Sequence, residues 1–250
     1  MQTQQLLIIG AVALVAVIAG FFLFGNTGSS AGTVEGDFGV IGEGVIRAWE
    51  TWGPNGELQA VGVTFDEEVL YTAPSDIESV ELAMPRKFLS SPFNHLTFDW
   101  NPNGHEPPGV YDVPHFDVHF YMITPEERAT VIPGIDPVEV NAAYLPSDYV
   151  NTENAVPEMG VHWVDAFSPD MNGQPFDQTF ILGYYRGKFT FYEPMITVDY
   201  FQSLEGAFTA DIRQPSEFQR SGKYYPSQYR IEYNERAGQY TVALEGMVKH

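Results

Sequence analysis

Short β-rich runs closed by turn residues recur along the chain, and no helical period intervenes. The runs are 45–52 (VIRAWETW), 58–65 (LQAVGVTF), 95–100 (HLTFDW), 115–123 (HFDVHFYMI), 178–185 (QTFILGYY), 188–201 (KFTFYEPMITVDYF), 229–233 (YRIEY) and 239–247 (QYTVALEGM). GPNG (53–56), NPNG (101–104), YRG (185–187) and NERAG (234–238) separate them; the last two predict tight hairpins. A parallel βαβ sheet needs amphipathic helices of roughly 10–15 residues between strands, and none is visible. The expected fold is therefore mainly β: an antiparallel β-sandwich or barrel with long Pro-rich loops and a few short helices. One helix should start at Thr124-Pro125-Glu126-Glu127, a capping box with Pro at the first position, and run to about Ala129. Asp136-Pro137 opens a similar short piece toward Ala143. The stretch from Tyr144 to Gln178, with Pro146, Pro157, Pro169 and Pro175, reads as the longest irregular segment.

An N-terminal transmembrane helix precedes that domain in this reading. Residues 6–24 (LLIIGAVALVAVIAGFFLF) are apolar and uncharged. At about 1.5 Å per residue such a run spans about 28 Å, close to the hydrocarbon thickness of a bilayer. It exceeds a usual signal-peptide core, and no clean small-residue cleavage site follows, so a retained anchor is favoured over a cleaved signal. The expected organisation is an anchor or signal segment over 1–24, a Gly/Ser/Thr linker over 25–34 and one exported domain over 35–250, facing outside on a single-pass anchor, or secreted if the segment is cleaved. The membrane, through residues 6–24, is thus one expected partner.

Charge sets further limits. The chain has 33 Asp and Glu against 12 Lys and Arg, a net charge of −21, and no charged residue precedes Glu35. That balance opposes contact with phosphate backbones, which excludes nucleic acid as a partner. Lys is scarce, at 87, 188, 223 and 249 alone. An acidic, Lys-poor surface suits a high-salt exterior, with an ordinary acidic extracellular protein as the alternative. The chain has no Cys, which removes disulfides, thiolate metal sites and cysteine nucleophiles.

What remains for chemistry is imidazole, carboxylate and hydroxyl. Five of the six His lie between 95 and 162. In P-H-F-D-V-H-F-Y (114–121) polar and apolar residues alternate strictly, so on a strand His115, Asp117 and His119 share one face and Phe116, Val118 and Phe120 the other. Neighbouring same-face positions lie about 6.6 Å apart, close enough to chelate one ion, whereas His115 and His119 are about 13 Å apart on an ideal strand. Either the strand bends, or one His supports the site from behind or ligates a second ion. Two loops offer more ligands: His105 and Glu106 in NPNGHEPPG (101–109), and His162 with Glu158 and Asp165 nearby in PEMGVHWVD (157–165). Glu193 lies among aromatics in FYEPMIT (191–197), where a lone carboxylate needs a metal, a hydrogen-bond partner or one of the few Arg residues. His95 is the weakest candidate.

The expected metal ligands are therefore His115, Asp117, His119, His162, His105 and Glu193, holding a divalent transition metal. Zinc is the leading choice, with copper, iron and manganese also compatible with nitrogen and oxygen donors. An open coordination position would activate water, with Glu158 or Glu106 as general base, or Asp117 if it is not a ligand. No G-x-S-x-G, P-loop, dinucleotide glycine pattern, H-E-x-x-H or EF-hand loop is present. Two functions stay open: a metal-dependent hydrolase or lyase at the cell surface, acting on a small molecule the sequence does not name, and a non-catalytic surface protein stabilised by a metal or polar cluster. Assembly into a homo-oligomer is a further expectation for a β-rich exported domain.

The string GHEPPGxYxxPHFDxHFY, followed by PEMGxHWVD and FxEPMIT, resembles a family of exported prokaryotic proteins designated a domain of unknown function. One Thermus member of that family is associated with an extracytoplasmic stress sigma-factor system. The similarity runs from about His95 to Thr197. It implies an exported β-rich domain in which these His, Asp and Glu positions recur, and it carries over no activity.

Overall fold

All strand pairings in the computed structural model, which describes residues 31–250, are antiparallel. The apolar segment 6–24 and residues 25–30 of the expected linker lie outside the described residues. A six-stranded sheet runs in the order β1 (Gly32–Ile41), β2 (Gly44–Trp52), β3 (Leu58–Asp66), β15 (Gln239–Glu245), β14 (Gln228–Asn234), β12 (Ala207–Asp211). An eight-stranded sheet runs β4 (Glu78–Ala83), β5 (His95–Asn101), β6 (His115–Tyr121), β11 (Lys188–Thr197), β10 (Gln178–Tyr185), β9 (Gly160–Asp165), β8 (Tyr149–Val156), β7 (Gly134–Ile135). Two short strands, β13 (Tyr224–Tyr225) and β16 (Val248–Lys249), pair separately. Among the described residues no helix is long and apolar enough to cross a membrane.

One apolar cluster joins the two sheets. Ile46, Ala48, Val61, Val63, Phe65, Ile231 and Val242 from the six-stranded sheet meet Leu96, Phe98, Phe116, Val118, Phe120 and Ile196 from the eight-stranded one. The rings of Phe65 and Phe98 lie 5.0 Å apart across this layer, and Phe65 and Phe116 6.2 Å. Fully burying each such side chain contributes about 1.5–3 kcal/mol.

The alternation in 115–121 places its residues as the pattern demands. Phe116, Val118 and Phe120 enter the core between the sheets, and His115, Asp117 and His119 point to the other side of β6. Both tight hairpins form. Arg186 and Gly187, at φ 50° and 73°, make the turn between β10 and β11, and residues 235–238 join β14 to β15. The helix at Pro125–Arg128 (α2) carries its full capping box: Thr124 Oγ1 accepts from Glu127 N at 3.2 Å, and Glu127 Oε2 accepts from Thr124 N at 3.0 Å.

Other expectations are corrected. The stretch 144–178 is not irregular, because it contains the antiparallel pair β8 and β9. Its strand pattern is weak since β8 is largely exposed and polar. His162 therefore sits on a strand, not a loop. Asp136 starts no helix; its Oδ1 accepts from Val138 N in a local turn, and only a single 3₁₀ turn follows at Ala142–Tyr144. The run 188–201 is split. The strand ends at Thr197, whose hydroxyl accepts from Tyr200 N at 3.1 Å and caps α3 (Val198–Ser203). A further short helix, α1 (Glu68–Thr72), follows β3. The strands β1, β4 and β12 lie at sheet edges and are largely exposed; β1 begins at Gly32, within the expected linker.

Candidate metal centre

The side of β5, β6 and β11 that faces away from the inter-sheet core is itself largely buried. His115 and His119 have no exposed surface, Glu193 is 1 % exposed and Asp117 5 %. Two small apolar clusters cover it: Tyr111, Val164, Phe176, Ile181 and Met195 at one end, and Tyr121, Ile123 and Phe191 with Met159 at the other. The covering loops 102–114 and 166–177 are tied together by the Tyr111 hydroxyl, which donates to Asp170 Oδ2 at 2.7 Å.

Strand register explains who meets whom. Asn101 lies opposite His115, Asp99 opposite Asp117 and Thr97 opposite His119. On the other flank of β6, pairing with β11 lapses between Tyr192–Phe120 and Met195–Asp117, where Pro194 has no N–H to give. Glu193 occupies that gap beside His119. His162 reaches the same place from two strands away because Gly183 lies between: a Cβ there would fall 2.2 Å from the Phe191 ring, which packs 5.3 Å from the His162 ring.

The result is two groups of three, each with its ligand atoms within 4.8 Å of one another: His105, His115 and Asp117, and His119, His162 and Glu193. In the first, Asp117 Oδ1 is 3.1 Å from His115 Nε2 and Oδ2 is 3.3 Å from His105 Nε2. In the second, Glu193 Oε1 is 3.2 Å from His119 Nε2 and Oε2 is 3.5 Å from His162 Nε2. Metal–nitrogen and metal–oxygen bonds of about 2.0–2.2 Å at a tetrahedral ion put neighbouring ligands about 3.3 Å apart. His115 Nε2, Asp117 Oδ1, His119 Nε2 and Glu193 Oε2 are buried and have no hydrogen-bond partner. Within each group the spacing thus matches coordination around one cation, while these atoms make no hydrogen bond.

In three of the four imidazoles the opposite ring nitrogen is anchored. His115 Nδ1 lies 2.7 Å from the Val113 carbonyl, and His105 Nδ1 2.8 Å from the Glu106 carbonyl. His119 Nδ1 lies 2.9 Å from Asp99 Oδ2, which also accepts from the Thr97 hydroxyl at 2.7 Å; Ser79 donates to Oδ1. Asn101 Nδ2 donates to Asp117 Oδ2 at 2.8 Å. With Nδ1 engaged in this way, Nε2 is the nitrogen turned toward the carboxylate of its group, placed to carry a proton or a metal ion.

The electrostatics favour positive charge in both places. Burial acts to lower His119, but the Glu193 carboxylate overrides it and holds the imidazole well above its ordinary pKa. Burial opposes charge on His105 likewise, yet Asp117 raises it to about 9. Burial would raise Asp117; the flanking His105 and His115 hold it below the usual carboxylate range. His162, with burial dominant, is lowered and so presents a neutral ring. The groups also sense one another: Glu193 acts on His105, and Asp117 on His162.

All six expected ligands fall into these two groups, so His115 and His119 belong to different ones. Glu193 takes imidazoles as ion-pair partners, not an Arg. Of the expected bases, Glu106 is exposed beside His105, while Glu158 pairs with Arg128 Nη2 at 2.8 Å. Asp165 pairs with Arg213 Nε at 2.7 Å. His95 belongs to neither group; its ring stacks on Tyr121 at 4.6 Å, and neither of its nitrogens has a partner. Asp99, Thr97 and Asn101 were not anticipated. The alternation of HLTFDWN puts them on one face, but only register shows that this face adjoins His119 and Asp117. The chain matches no family profile, no curated protein and no solved structure.

Proposed function

We propose that this is an exported, membrane-anchored metalloprotein whose β-sandwich carries a pair of divalent transition-metal ions, zinc foremost, and works as a metal-dependent hydrolase or lyase. The observation that carries the reading is the set of buried Nε2 and carboxylate oxygens that converge at coordination distances without hydrogen bonds. A donor set of imidazole and carboxylate without sulfur suits zinc, with copper, iron and manganese as competitors. Three protein ligands in either group would hold a zinc ion, which would supply Lewis-acid activation of water. Glu106, exposed beside His105, is the general base in this reading.

Export and anchoring rest on the apolar segment 6–24, the acidic balance beyond Glu35 and the motif resemblance to exported proteins. The full chain, purified in detergent without a His tag, should contain two ions per chain by elemental analysis and should hydrolyse or cleave members of a broad substrate panel only when loaded. A metal content equal to the buffer blank, even after loading, overturns the metal reading. Full loading with no turnover leaves the non-catalytic alternative, which the complete burial of His119 favours for one of the two ions. Light scattering on the same sample tests the homo-oligomer.

A further inference from the structure

We infer that the two ion positions are unequal: His119, His162 and Glu193 hold a permanent structural ion, His105, His115 and Asp117 hold the exchangeable ion that meets substrate, and Asp99 is the positioning residue that makes the first site tight. This rests on the metal reading above.

Burial gives the first argument. The side chains of His119 and Glu193 are 1 % and 2 % exposed, and that of His162 14 %. In the other group the His105 side chain is 34 % exposed, so solvent and an oxygen-donor substrate reach an ion there along the His105 side. The second argument is how each ligand is held. His119, His162 and Glu193 all stand on paired strands, β6, β9 and β11. His105 stands on the 102–114 loop, and a loop ligand can swing aside at less cost than a strand ligand.

Charge supplies the third. The buried site has Glu193 as a ligand and a second carboxylate, Asp99, behind His119. Asp99 is itself fixed by the hydroxyls of Thr97 and Ser79. A carboxylate on Nδ1–H makes the imidazole a better donor than a neutral carbonyl does, and loss of such a partner typically costs 10–100-fold in metal affinity. The other site has one carboxylate, Asp117, and its imidazoles lean on the neutral carbonyls of Val113 and Glu106.

Full-length protein in detergent, stripped with chelator and reloaded with Co²⁺, reads the two sites through its visible bands. We expect two equivalents to bind, one released slowly to a competing chelator and one quickly. His105→Ala should remove the fast phase alone. Asp99→Asn, which keeps the size of the side chain but loses its charge and one acceptor oxygen, should speed the slow phase by about 10–100-fold and leave the fast phase and the near-ultraviolet circular dichroism unchanged; Asp99→Glu should restore part of the slow phase. Equal release rates in the wild type, or an unaltered slow phase in a folded Asp99→Asn variant, overturn the inference while the metal reading stands. Failure of the wild type to bind Co²⁺ at all sinks both.

Discussion

On one side of β6, Phe116, Val118 and Phe120 are buried in the apolar layer between the sheets; on the other, His115, Asp117 and His119 are buried as deeply beneath the loops. The same strand therefore seals both of its faces, one by interlocking rings and one with charge. Burial of the first contributes stability directly. Burial of the second costs stability unless a partner supplies positive charge, since Asp99 stands directly across from Asp117. The contrast teaches that the inner face holds the fold and the outer face gathers groups that could hold a metal ion.

The difference can be broken or sharpened by substitution. Phe116→Ala empties the inner face and should cost about 4 kcal/mol in chemical denaturation, equally with and without metal. A cost that vanishes on metal removal would mean the inner face does not hold the fold independently.

Acid should act on the outer face through His95. Burial, with Arg128 nearby, lowers His95 to about 4 in the folded chain, against about 6.5 when unfolded. Between those values the unfolded chain binds the extra proton, so this contribution is complete above pH 6.5 and is lost as the pH falls toward 4. At about 1.4 kcal/mol per unit the loss amounts to about 3 kcal/mol. Denaturation midpoints measured across that window should fall more steeply for the wild type than for His95→Phe; parallel curves would remove His95 from the account.

Glu193→Gln should separate stability from metal. Without metal it takes away the buried partner that keeps His119 charged, so the metal-free fold loses stability. With free metal at about 100 times the dissociation constant, the variant should lack about 2.7 kcal/mol of ligand-linked stabilisation, read as a smaller shift in Tm. An identical shift in variant and wild type would show that Glu193 binds no ion.

The smallest effect belongs to the short helix α2. Thr124→Ala removes the cap of α2, and should cost about 1 kcal/mol with both ion positions still filled. Loss of metal in that variant would mean that the helix supports the centre.

Much of the architecture was legible. A period of two is visible wherever one face is apolar and the other polar, as in 115–121, and turn residues marked both tight hairpins. The edge strands β1, β4 and β12 escaped because exposed edges carry few apolar residues. Asp136-Pro137 misled because an Asp that caps a helix and an Asp that closes a turn look alike in sequence. All six ligand candidates could be named from residue type and context, but their division into two groups could not. The distance from His115 to His119 along a strand left open whether they share an ion; the gap in pairing at Pro194 and the bare backbone at Gly183 bring Glu193 and His162 to His119.

What the sequence alone determined is the kind of chemistry: no thiol, a mainly β chain, and imidazoles and carboxylates set on one face of a strand. Those follow from composition and from alternation, which are local. Only the tertiary structure decided that this face is buried, that Asp99 stands behind His119, and that six candidate ligands form two groups. Partners on separate strands are chosen by register, and register is set by how the sheets pack, which no single segment specifies.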